Sequence, residues 1–326
     1  KNFSAECENI DFDTMAENAL QKWENVFSCI KVSGTDEIDL KLFYTCLYHV
    51  LLDPRTMADV DGRFVINYEV FKDSDYKQRT VFSGWDVYRS EFPLLSIIRP
   101  DMVSDDINSL LKIAEINNSS FPRWELLGIN AGCMVGDPGL IVLADAFVKG
   151  IKPYNIEKAY EISKASSVCA EELDRKAFKS IRPDCKAYLE ECYVPEKLSD
   201  TLEYLLADYT MARFAEALGK REDAEFVFEE DRYDDDGTVE SNIFQQSWFV
   251  PYDVVGLSKL FGEERTIELL EEFFEKADLK SLWNDDYNHS NEPCHNITHY
   301  FSMLDHPERT QYWTRRVQKE AYRTGA

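Results

Sequence analysis

The sequence predicts an all-α fold, and three observations support that prediction. Apolar residues recur every three or four positions through much of the chain, which is the spacing of one face of a helix. Alternation of apolar and polar residues, which is typical of half-buried strands, is confined to a few short stretches. Long loops marked by Pro and Gly join helical segments of ordinary length. Such a pattern is typical of an α/α barrel or another compact helical array, in which the loops at one end would build the site.

Two stripes of apolar residues mark the first predicted helices. One runs from Met15 to Phe27, and the other runs from Ile38 to Val50, before the stop at Pro54. Short strands or hairpins are expected only over Arg63–Val70 and Thr80–Phe82. Further helices are predicted over residues 85–98, 107–116, 133–147, 156–167, 199–218, 220–229, 252–261, 263–276, 292–304 and 307–322.

Two of these helices carry recognisable ends. Ser104, which follows Pro100, is expected to cap the helix over 107–116. Ser199 is a preferred N-cap residue for the helix over 199–218, and Gly219 suits the left-handed residue that follows a helix. The segment from Ser199 to Leu218 is therefore the clearest helix in the sequence.

The acidity of the chain excludes two classes of partner. Its 326 residues carry a formal charge of -25 at pH 7, which repels phosphate backbones and anionic lipid surfaces. Nucleic acid is therefore excluded as a partner. Membrane insertion is excluded as well, because no run approaches the ~20 apolar residues that cross a bilayer. A neutral ligand such as a glycan, or a cation, is compatible with this charge, and the many aromatic residues suit either sugar stacking or core packing.

The cysteines and the glycosylation sequons bear on the compartment. None of the eight cysteines belongs to a Cys-x-x-Cys pair, which excludes a zinc ribbon and a thioredoxin-type centre. A bridge between Cys185 and Cys192 and a pair of reduced thiols are equal alternatives. Asn-x-Ser/Thr sequons are consistent with a secretory route, and they start at Asn2, Asn117, Asn118, Asn288 and Asn296. We therefore expect a secreted protein, either extracellular or periplasmic.

Four of the five histidines lie between residues 289 and 306. His295 and His299 are four residues apart and would share a face of a helix, with Glu292 one turn before His295. A zinc site could be drawn from these three side chains, but the motif His-Glu-x-x-His and its inverse are both absent. Surface or structural imidazoles are the alternative interpretation of His299 and His306.

The segment from Asn288 to Asn296 contains the most specific candidate for a catalytic residue in the sequence. Pro293 suits the first position of the helix predicted there, which places Glu292 near the cap and Asn291 just outside it. A carboxyl group on a rigid turn among amides and imidazoles suits general acid catalysis. A plain capping carboxylate, favoured by the helix dipole, is the alternative, and the local sequence does not decide between the two.

This segment is one of a series of short motifs that run along the chain. The segment 283–293 ends in Asn-Glu-Pro, and the segment 240–251 ends in Gln-Gln-Ser-Trp-Phe-Val-Pro. Other motifs stand at 47–49, 54–55, 59–62, 82–90, 121–124, 133–137, 144–146 and 199–204. Together they resemble glycoside hydrolase family 92, the calcium-dependent exo-α-mannosidases, in which the same motifs occur in the same order.

This resemblance implies a fold, a reaction and a set of site residues. The implied fold is an (α/α)6-type toroid, complete or incomplete, with a few short strands in loops, in which residues 1–326 form a single helical catalytic domain. The implied reaction is hydrolysis of terminal α-linked mannose from N-glycans or mannans with inversion. Glu292, in the Asn-Glu-Pro motif, is the implied general acid. The implied substrate-binding residues are Trp85, Asp86, Arg89, Glu240, Gln245 and His295.

The same resemblance implies a calcium ion. In this family Ca2+ chelates two mannose hydroxyls and helps to distort the sugar ring, a role that suits a hard cation with oxygen ligands and open positions. Gln245 and Asn291 are the implied protein ligands.

The sequence departs from the family pattern at the second catalytic carboxylate. An inverting hydrolase needs two carboxyl groups roughly 6.5–9.5 Å apart, and Glu292 supplies one of them. The family's base is the Asp of a Gly-Asn-Glu-Asp motif downstream of Asn-Glu-Pro, and this motif does not occur in the 326 residues. The family's N-terminal β-sandwich is missing as well, and Tyr252 and Asn296 stand where the family has histidines.

Three explanations of these departures stay open. The chain is a piece of a larger protein, whose remainder (the β-sandwich domain and a C-terminal segment) is its partner and carries the base. Alternatively, it is a truncated or edited form. In the third explanation it is a diverged relative that binds mannose-containing glycan without cleaving it, a catalytically silent mannose-binding domain.

Overall fold

The computed structural model describes residues 2–73, 75–118, 120–168, 181–220, 222 and 237–322. Most of these residues are helical, with a few short strands, so the predicted all-α class is confirmed. The chain divides into two compact units. The first comprises residues 1–133, 138–165 and 171–181, and the second comprises residues 134–137, 166–170 and 182–326. The single catalytic domain over 1–326 stays a prediction.

The first unit contains helices and small antiparallel sheets. Its helices are α1 (Asn2–Glu6), α2 (Phe12–Phe27), α3 (Glu37–Val50), α4 (Gly84–Val87), α5 (Glu91–Ile98), α6 (Pro100–Ile116), α7 (Pro138–Val148) and α8 (Ile156–Ser167), which ends in the second unit. Its strands are β1 (Arg55–Thr56), β2 (Arg63–Ile66), β3 (Glu69–Lys72), β4 (Arg79–Thr80), β5 (Phe82–Ser83), β6 (Trp124–Leu126) and β7 (Ile129–Asn130). Strand β1 pairs with β4, β2 pairs with β3, and β5, β6 and β7 form one sheet.

Helices α2 and α3 form where the two apolar stripes predict helices, and each begins after a capping aspartate. The Asp11 carboxylate accepts a hydrogen bond from the Thr14 backbone N–H at 2.8 Å, at the start of α2. The Asp36 carboxylate accepts one from the Ile38 backbone N–H at 2.9 Å, at the start of α3. Each cap satisfies a backbone donor that the first helical turn leaves without a partner.

The predicted strand over Arg63–Val70 is a hairpin made of β2 and β3. Its two turn residues, Asn67 and Tyr68, have φ values of 49° and 68°. Two consecutive left-handed residues form the tight turn whose twist matches that of paired strands. Phe64 and Ile66 are buried in this unit against Ile113 of α6.

Helices α5, α6 and α7 pack against one another and form the helical core of the first unit. The core side chains of α6 recur at helical spacing and include Val103, Ile107, Leu110 and Ala114. Helix α7 is buried along most of its length. A helix that is apolar on all sides is stable only when other elements cover it, which places α7 at the centre of this core.

Three predicted helices of the first unit have other boundaries. The helix over 85–98 is two helices, α4 and α5, because Ser90 adopts a non-helical φ of -144°. Ser104 lies inside α6 and does not cap it, since the helix already begins at Pro100. Proline is well suited to a first turn because its missing N–H would have no partner there. The helix over 133–147 likewise begins only at Pro138.

The described part of the second unit consists of helices joined by loops, without strands. Its helices are α9 (Cys185–Glu191), α10 (Leu198–Ala217), α11 (Ile243–Gln246), α12 (Val254–Phe261), α13 (Glu263–Glu275), α14 (Tyr300–Met303) and α15 (Pro307–Ala321). Gly219 has a φ of 75° and follows α10 as predicted. The predicted helix over 220–229 lies, except for residues 220 and 222, outside the described residues.

An aromatic core holds the second unit together. Phe274 of α13 stacks on Trp313 of α15, with 5.0 Å between the ring centroids. Tyr287 is fully buried, and its ring lies 4.4 Å from that of Phe274. The Trp313 indole N–H donates to the Glu271 carboxylate at 3.0 Å, so the polar edge of this buried ring is satisfied.

Two further features concern the chain as a whole. Within the described residues, no helix is long and apolar enough to cross a membrane. Cys185 forms a disulfide bond, and Cys192 is not its partner. The predicted alternative of a Cys185–Cys192 bridge is therefore wrong.

Candidate active site

Glu292 lies on a tight turn, not at the start of a long helix. The helix predicted over 292–304 is two 3-10 turns, Glu292–Cys294 and Ile297–His299, followed by α14. The backbone bonds here span three residues, as in the 3.1 Å bond from the His295 N–H to the Glu292 carbonyl. Asn291 is the N-cap residue, and Pro293 follows Glu292 as the second residue of the turn, where its missing N–H leaves no bond unmade.

Glu292 is half-buried. Its carboxyl group forms no hydrogen bond or ion pair with any residue in the described part of the chain. Asn291, immediately before it, is fully buried and fixed by its side chain, whose Nδ2 donates to the Glu240 carbonyl oxygen. The turn is therefore held in place while its carboxyl group stays available to a ligand.

Two histidines fix the other side of the turn. His295 donates its Nε2–H to the His289 carbonyl oxygen at 3.0 Å. The His289 ring is hydrogen-bonded through Nδ1 to the Tyr287 hydroxyl at 2.7 Å and through Nε2 to the Tyr322 hydroxyl at 3.0 Å. Burial, and then the neighbouring His295, lower the pKa of His289 to about 4. His289 is therefore neutral near pH 7, with one ring nitrogen donating and the other accepting.

The structure gives no support to a zinc site built from Glu292, His295 and His299. Among the described residues, no group of three His, Cys, Asp or Glu side chains is arranged to hold a metal ion.

Gln245 has an amide oxygen without a protein partner. Its Nε2 donates to the carbonyl oxygens of Asn284 and Asp286, each at 2.6 Å. Carbonyl oxygens only accept hydrogen bonds, so the amide atom that faces them must be the nitrogen. The amide oxygen, Oε1, therefore points away from these two carbonyls. Gln245 Oε1 is buried and has no hydrogen-bond partner among the described residues.

Asn291 repeats this arrangement on a neighbouring element. Its Nδ2 is bound to the Glu240 carbonyl, and its buried Oδ1 has no hydrogen-bond partner in the part of the chain that the structure describes. Helix α11, which carries Gln245, packs against the turn Glu292–Cys294. Buried amide oxygens without partners are costly in isolation and are good ligands for a hard cation. The residues implied as calcium ligands therefore fit that role in their chemistry.

The segment that leads to Glu240 is anchored on helix α10. The predicted N-cap, Ser199, is the second residue of α10, and its N–H donates to the Gly237 carbonyl at 3.0 Å. The Ser199 hydroxyl accepts from the Val239 N–H at 2.7 Å. Glu240 is exposed and has a φ of 52°, a left-handed conformation that costs free energy for a residue with a Cβ. The cap prediction is wrong because this hydroxyl binds a distant segment, not its own helix.

Helix α11 and its cap were missed by the sequence patterns. Asn242 is the N-cap, and its Oδ1 accepts from the Gln245 N–H at 2.9 Å. Its Nδ2 donates to the Asp285 carbonyl at 2.8 Å. A helix of four residues is too short to show a period, so the Asn at the cap position was the one local signal.

A cleft of about 540 Å³ opens beside these residues. One wall is formed by Glu240, Ser241, Asn242 and Gln245, and the other by residues of the segment 276–286. Its volume lies within the range of about 300–1,000 Å³ that is usual for small-molecule sites. Among the predicted site residues, Glu240, Gln245, Asn291, Glu292 and His295 thus belong to one part of the second unit.

Trp85, Asp86 and Arg89 form another group, in the first unit. The Trp85 ring is buried, and the Arg89 guanidinium lies 4.8 Å from its centroid. Arg89 Nε donates to the Trp85 carbonyl at 2.9 Å. The indole N–H of Trp85 is buried and has no hydrogen-bond partner. Asp86 and Arg89 are half-buried, and the role of all three in sugar binding stays a prediction.

Glu91, close to this group, gives a prediction about pH. Burial, followed by the carboxylates of Asp53 and Asp86, raises the pKa of Glu91 to about 8. Between pH 4.5 and 8 the folded protein keeps a proton that the unfolded chain has released, so this group lowers stability as the pH rises. We expect Glu91→Gln to be more stable than the wild type by about 2 kcal/mol at pH 8, a value discounted for partial exposure, and nearly equal at pH 5.

Urea unfolding at both pH values measures this difference. Glu69→Gln, at an exposed position of β3, is the matched control and should behave as the wild type at each pH. An equal effect of Glu91→Gln at pH 5 and pH 8 would contradict the protonation assigned to Glu91.

Comparisons with known proteins agree with the motifs. The model of the glycosyl hydrolase family 92 catalytic domain matches residues 1–230 and 225–326. No curated protein matches the chain.

Solved structures show the same similarity. The family GH92 α-mannosidase BT3965 from Bacteroides thetaiotaomicron is 27% identical, with a TM-score of 0.83, and the match covers 97% of this chain and 46% of that one. The family GH92 inverting mannosidase BT2199 from Bacteroides thetaiotaomicron VPI-5482 is 25% identical, with a TM-score of 0.87, and the match covers 99% of this chain and 51% of that one. The chain thus spans about half the length of these relatives. The predicted (α/α)6-type fold class is confirmed, and the chain belongs to glycoside hydrolase family 92.

Proposed function

We propose that the protein is an exo-acting α-mannosidase, which hydrolyses terminal α-linked mannose from N-glycans or mannans with inversion and with the help of calcium. The observation that supports this most is the turn at Glu292. Glu292 is half-buried, and its carboxyl group makes no hydrogen bond or ion pair within the described structure. It directly follows Asn291, whose buried amide oxygen has no hydrogen-bond partner among the described residues. Family membership supports the reaction class, and one of the similar structures is that of an inverting mannosidase.

In the proposed reaction Glu292 acts as the general acid. Its proton goes to the glycosidic oxygen as the bond from that oxygen to the anomeric carbon breaks. The bonds of Asn291 to Glu240 and of His295 to His289 hold the turn on both sides, so the carboxyl group loses little further freedom when a sugar binds. Water attacks the opposite face, which requires a second carboxylate, expected in the remainder of the protein.

Gln245 and Asn291 are the proposed protein ligands of the cation. Bound calcium would supply positive charge to two mannose hydroxyls and favour a distorted ring. Both side chains are neutral amides whose nitrogen is already bound to backbone carbonyls, so only their oxygens remain for the cation. Neutral ligands also leave the net positive charge of the ion available to the sugar.

Calcium binding can be tested without any measurement of activity. After EDTA treatment, adding Ca2+ at 100 times its Kd should stabilise the fold by about 2.7 kcal/mol, which raises the Tm. Gln245→Leu should abolish this rise, whereas Gln246→Leu, at an equally buried neighbouring position, should keep it. A calcium-dependent rise that survives in Gln245→Leu would remove Gln245 from the ligand set.

Release of free mannose from α-mannobiosides tests the function itself. We expect single mannose units to be released from the non-reducing end, with a rate that falls when calcium is removed. Binding of these sugars without any release would instead support the alternative, a catalytically silent mannose-binding domain.

We also propose that the protein is secreted, extracellular or periplasmic, and that the remainder of the same protein is its partner. The disulfide at Cys185 supports the location, because disulfide bonds persist in oxidising compartments. The Asn-x-Ser/Thr sequons are consistent with the same route.

A further inference from the structure

We infer that the cleft beside the Glu292 turn binds the sugar unit to which the terminal mannose is attached, with Trp283 as the surface on which that sugar stacks. This inference rests on the proposed function, because it assigns the leaving-group side of the same site. It adds a binding residue that none of the sequence motifs assigned to a role.

One wall of the cleft is a closed loop. The Asn284 side chain accepts from the Asp278 N–H at 2.8 Å and donates to the Asp278 carbonyl at 3.0 Å. The Ser281 N–H also donates to the Asp278 carbonyl, at 2.8 Å. The loop from Asp278 to Asn284 is therefore tied at both ends by its own hydrogen bonds.

Helix α11 and its cap hold this loop from the other wall. Gln245 binds the carbonyls of Asn284 and Asp286, and Asn242 binds the carbonyl of Asp285 between them. Three successive carbonyls of the loop thus accept hydrogen bonds from two side chains. A loop that is fixed in this way can present a side chain to a ligand without losing much entropy on binding.

The side chain that this loop presents to the cleft is Trp283. Trp283 lines the cleft and is 58% exposed, and its indole makes no ring contact with a described residue. The rest of the cleft is polar, with amide, hydroxyl, carboxylate and ammonium groups. An aromatic face beside groups that bind hydroxyls is the combination that suits a pyranose, whose C–H face is apolar and whose edge is polar.

Glu240 connects the cleft to the turn at Glu292. Glu240 lines the cleft, and its carbonyl binds the side chain of Asn291, the residue before Glu292. A general acid must lie within hydrogen-bond reach of the oxygen that it protonates. The sugar that carries this oxygen therefore lies next to Glu292. The cleft is connected to the Glu292 turn through the bond between Glu240 and Asn291, and its volume suits a sugar unit.

The experiment compares a substrate that has a leaving sugar with one that has none. We expect Trp283→Ala to lower kcat/KM for α-mannobiosides about tenfold, mainly through KM, because a stacking contact is lost. The hydrolysis of α-mannosyl fluoride, whose leaving group is a fluoride ion, should change less than twofold. Trp283→Tyr should retain most of the activity on mannobiosides. Leu282→Ala, at a neighbouring position that is 75% exposed, should change neither reaction.

The outcomes separate the inference from the proposed function. Equal effects of Trp283→Ala on both substrates, or no effect on either, would overturn the subsite while leaving the mannosidase function intact. If the wild type hydrolyses neither substrate, the proposed function fails, and calorimetric titration with mannobiosides decides the subsite alone. In that titration, mannobioside binding to Trp283→Ala that is ten times weaker than to the wild type supports the subsite. Equal binding to the two proteins, or no binding to the wild type, overturns it.

Discussion

Replacing Glu292 by glutamine should lower kcat for α-mannobiosides by about 10²–10⁴-fold, the range for loss of a general acid. The amide is close in size to the carboxyl group but has no proton to give to the leaving oxygen. Since the carboxyl group has no bond or ion pair within the described structure, the fold should lose little stability. Initial rates with saturating mannobioside measure the loss, and thermal unfolding confirms that the variant is folded.

Two controls make this result specific to proton donation. Hydrolysis of α-mannosyl fluoride should fall by less than tenfold in Glu292→Gln, because fluoride leaves without protonation. Glu308→Gln, an exposed acid-to-amide change in the first turn of α15, should leave both rates unchanged. Unaltered turnover of mannobiosides by Glu292→Gln would reduce Glu292 to the plain capping carboxylate.

Replacing Arg182 by alanine should destabilise the second unit by about 3–5 kcal/mol. The fully buried guanidinium binds Asp137 through Nε at 3.2 Å and Asp208 through Nη1 at 2.7 Å. Burial disfavours its charge, but the two carboxylates outweigh burial and raise the pKa of Arg182. Ser166 and Tyr188 donate further bonds to these carboxylates, at 2.6 and 2.9 Å. Alanine would leave the buried carboxylate of Asp137 and the half-buried carboxylate of Asp208 without their cation.

Arg213→Ala is the matched control for this change. Arg213 lies on α10 and forms an exposed pair with Glu216 at 2.8 Å, and such pairs contribute about 0–1 kcal/mol. Urea unfolding of both variants compares a buried ion pair with an exposed one. A loss below about 1 kcal/mol for Arg182→Ala would show that the network does not hold the second unit together.

The elements that could be predicted from the sequence are those with a long period or a strong terminal signal. Helices α2 and α3 have both, with apolar stripes and capping aspartates. Helix α11 has neither, since four residues do not complete a period. The turn at Glu292 was predicted as the start of a long helix because Pro293 fits a first turn equally well in an α-helix and in a 3-10 helix.

The site was predicted from the sequence only in part. Glu292 and its neighbours stand out locally, because an acid, a proline, amides and imidazoles share one short segment. The bond between Asn291 and the Glu240 carbonyl joins residues 51 positions apart, and no local pattern predicts such a pairing. The family motifs placed these residues together, whereas the fixed loop that presents Trp283 depends on bonds from α11 that only the structure shows.

The stereochemistry of the product tests the central claim most directly. The protein, supplied with calcium, is mixed with an α-mannobioside, and the first mannose released is followed by proton NMR before its anomers interconvert. We expect β-mannose first in the wild type, and no release on the same timescale in Glu292→Gln. Release of α-mannose first, or equal release by the variant, would contradict an inverting mannosidase with Glu292 as its acid.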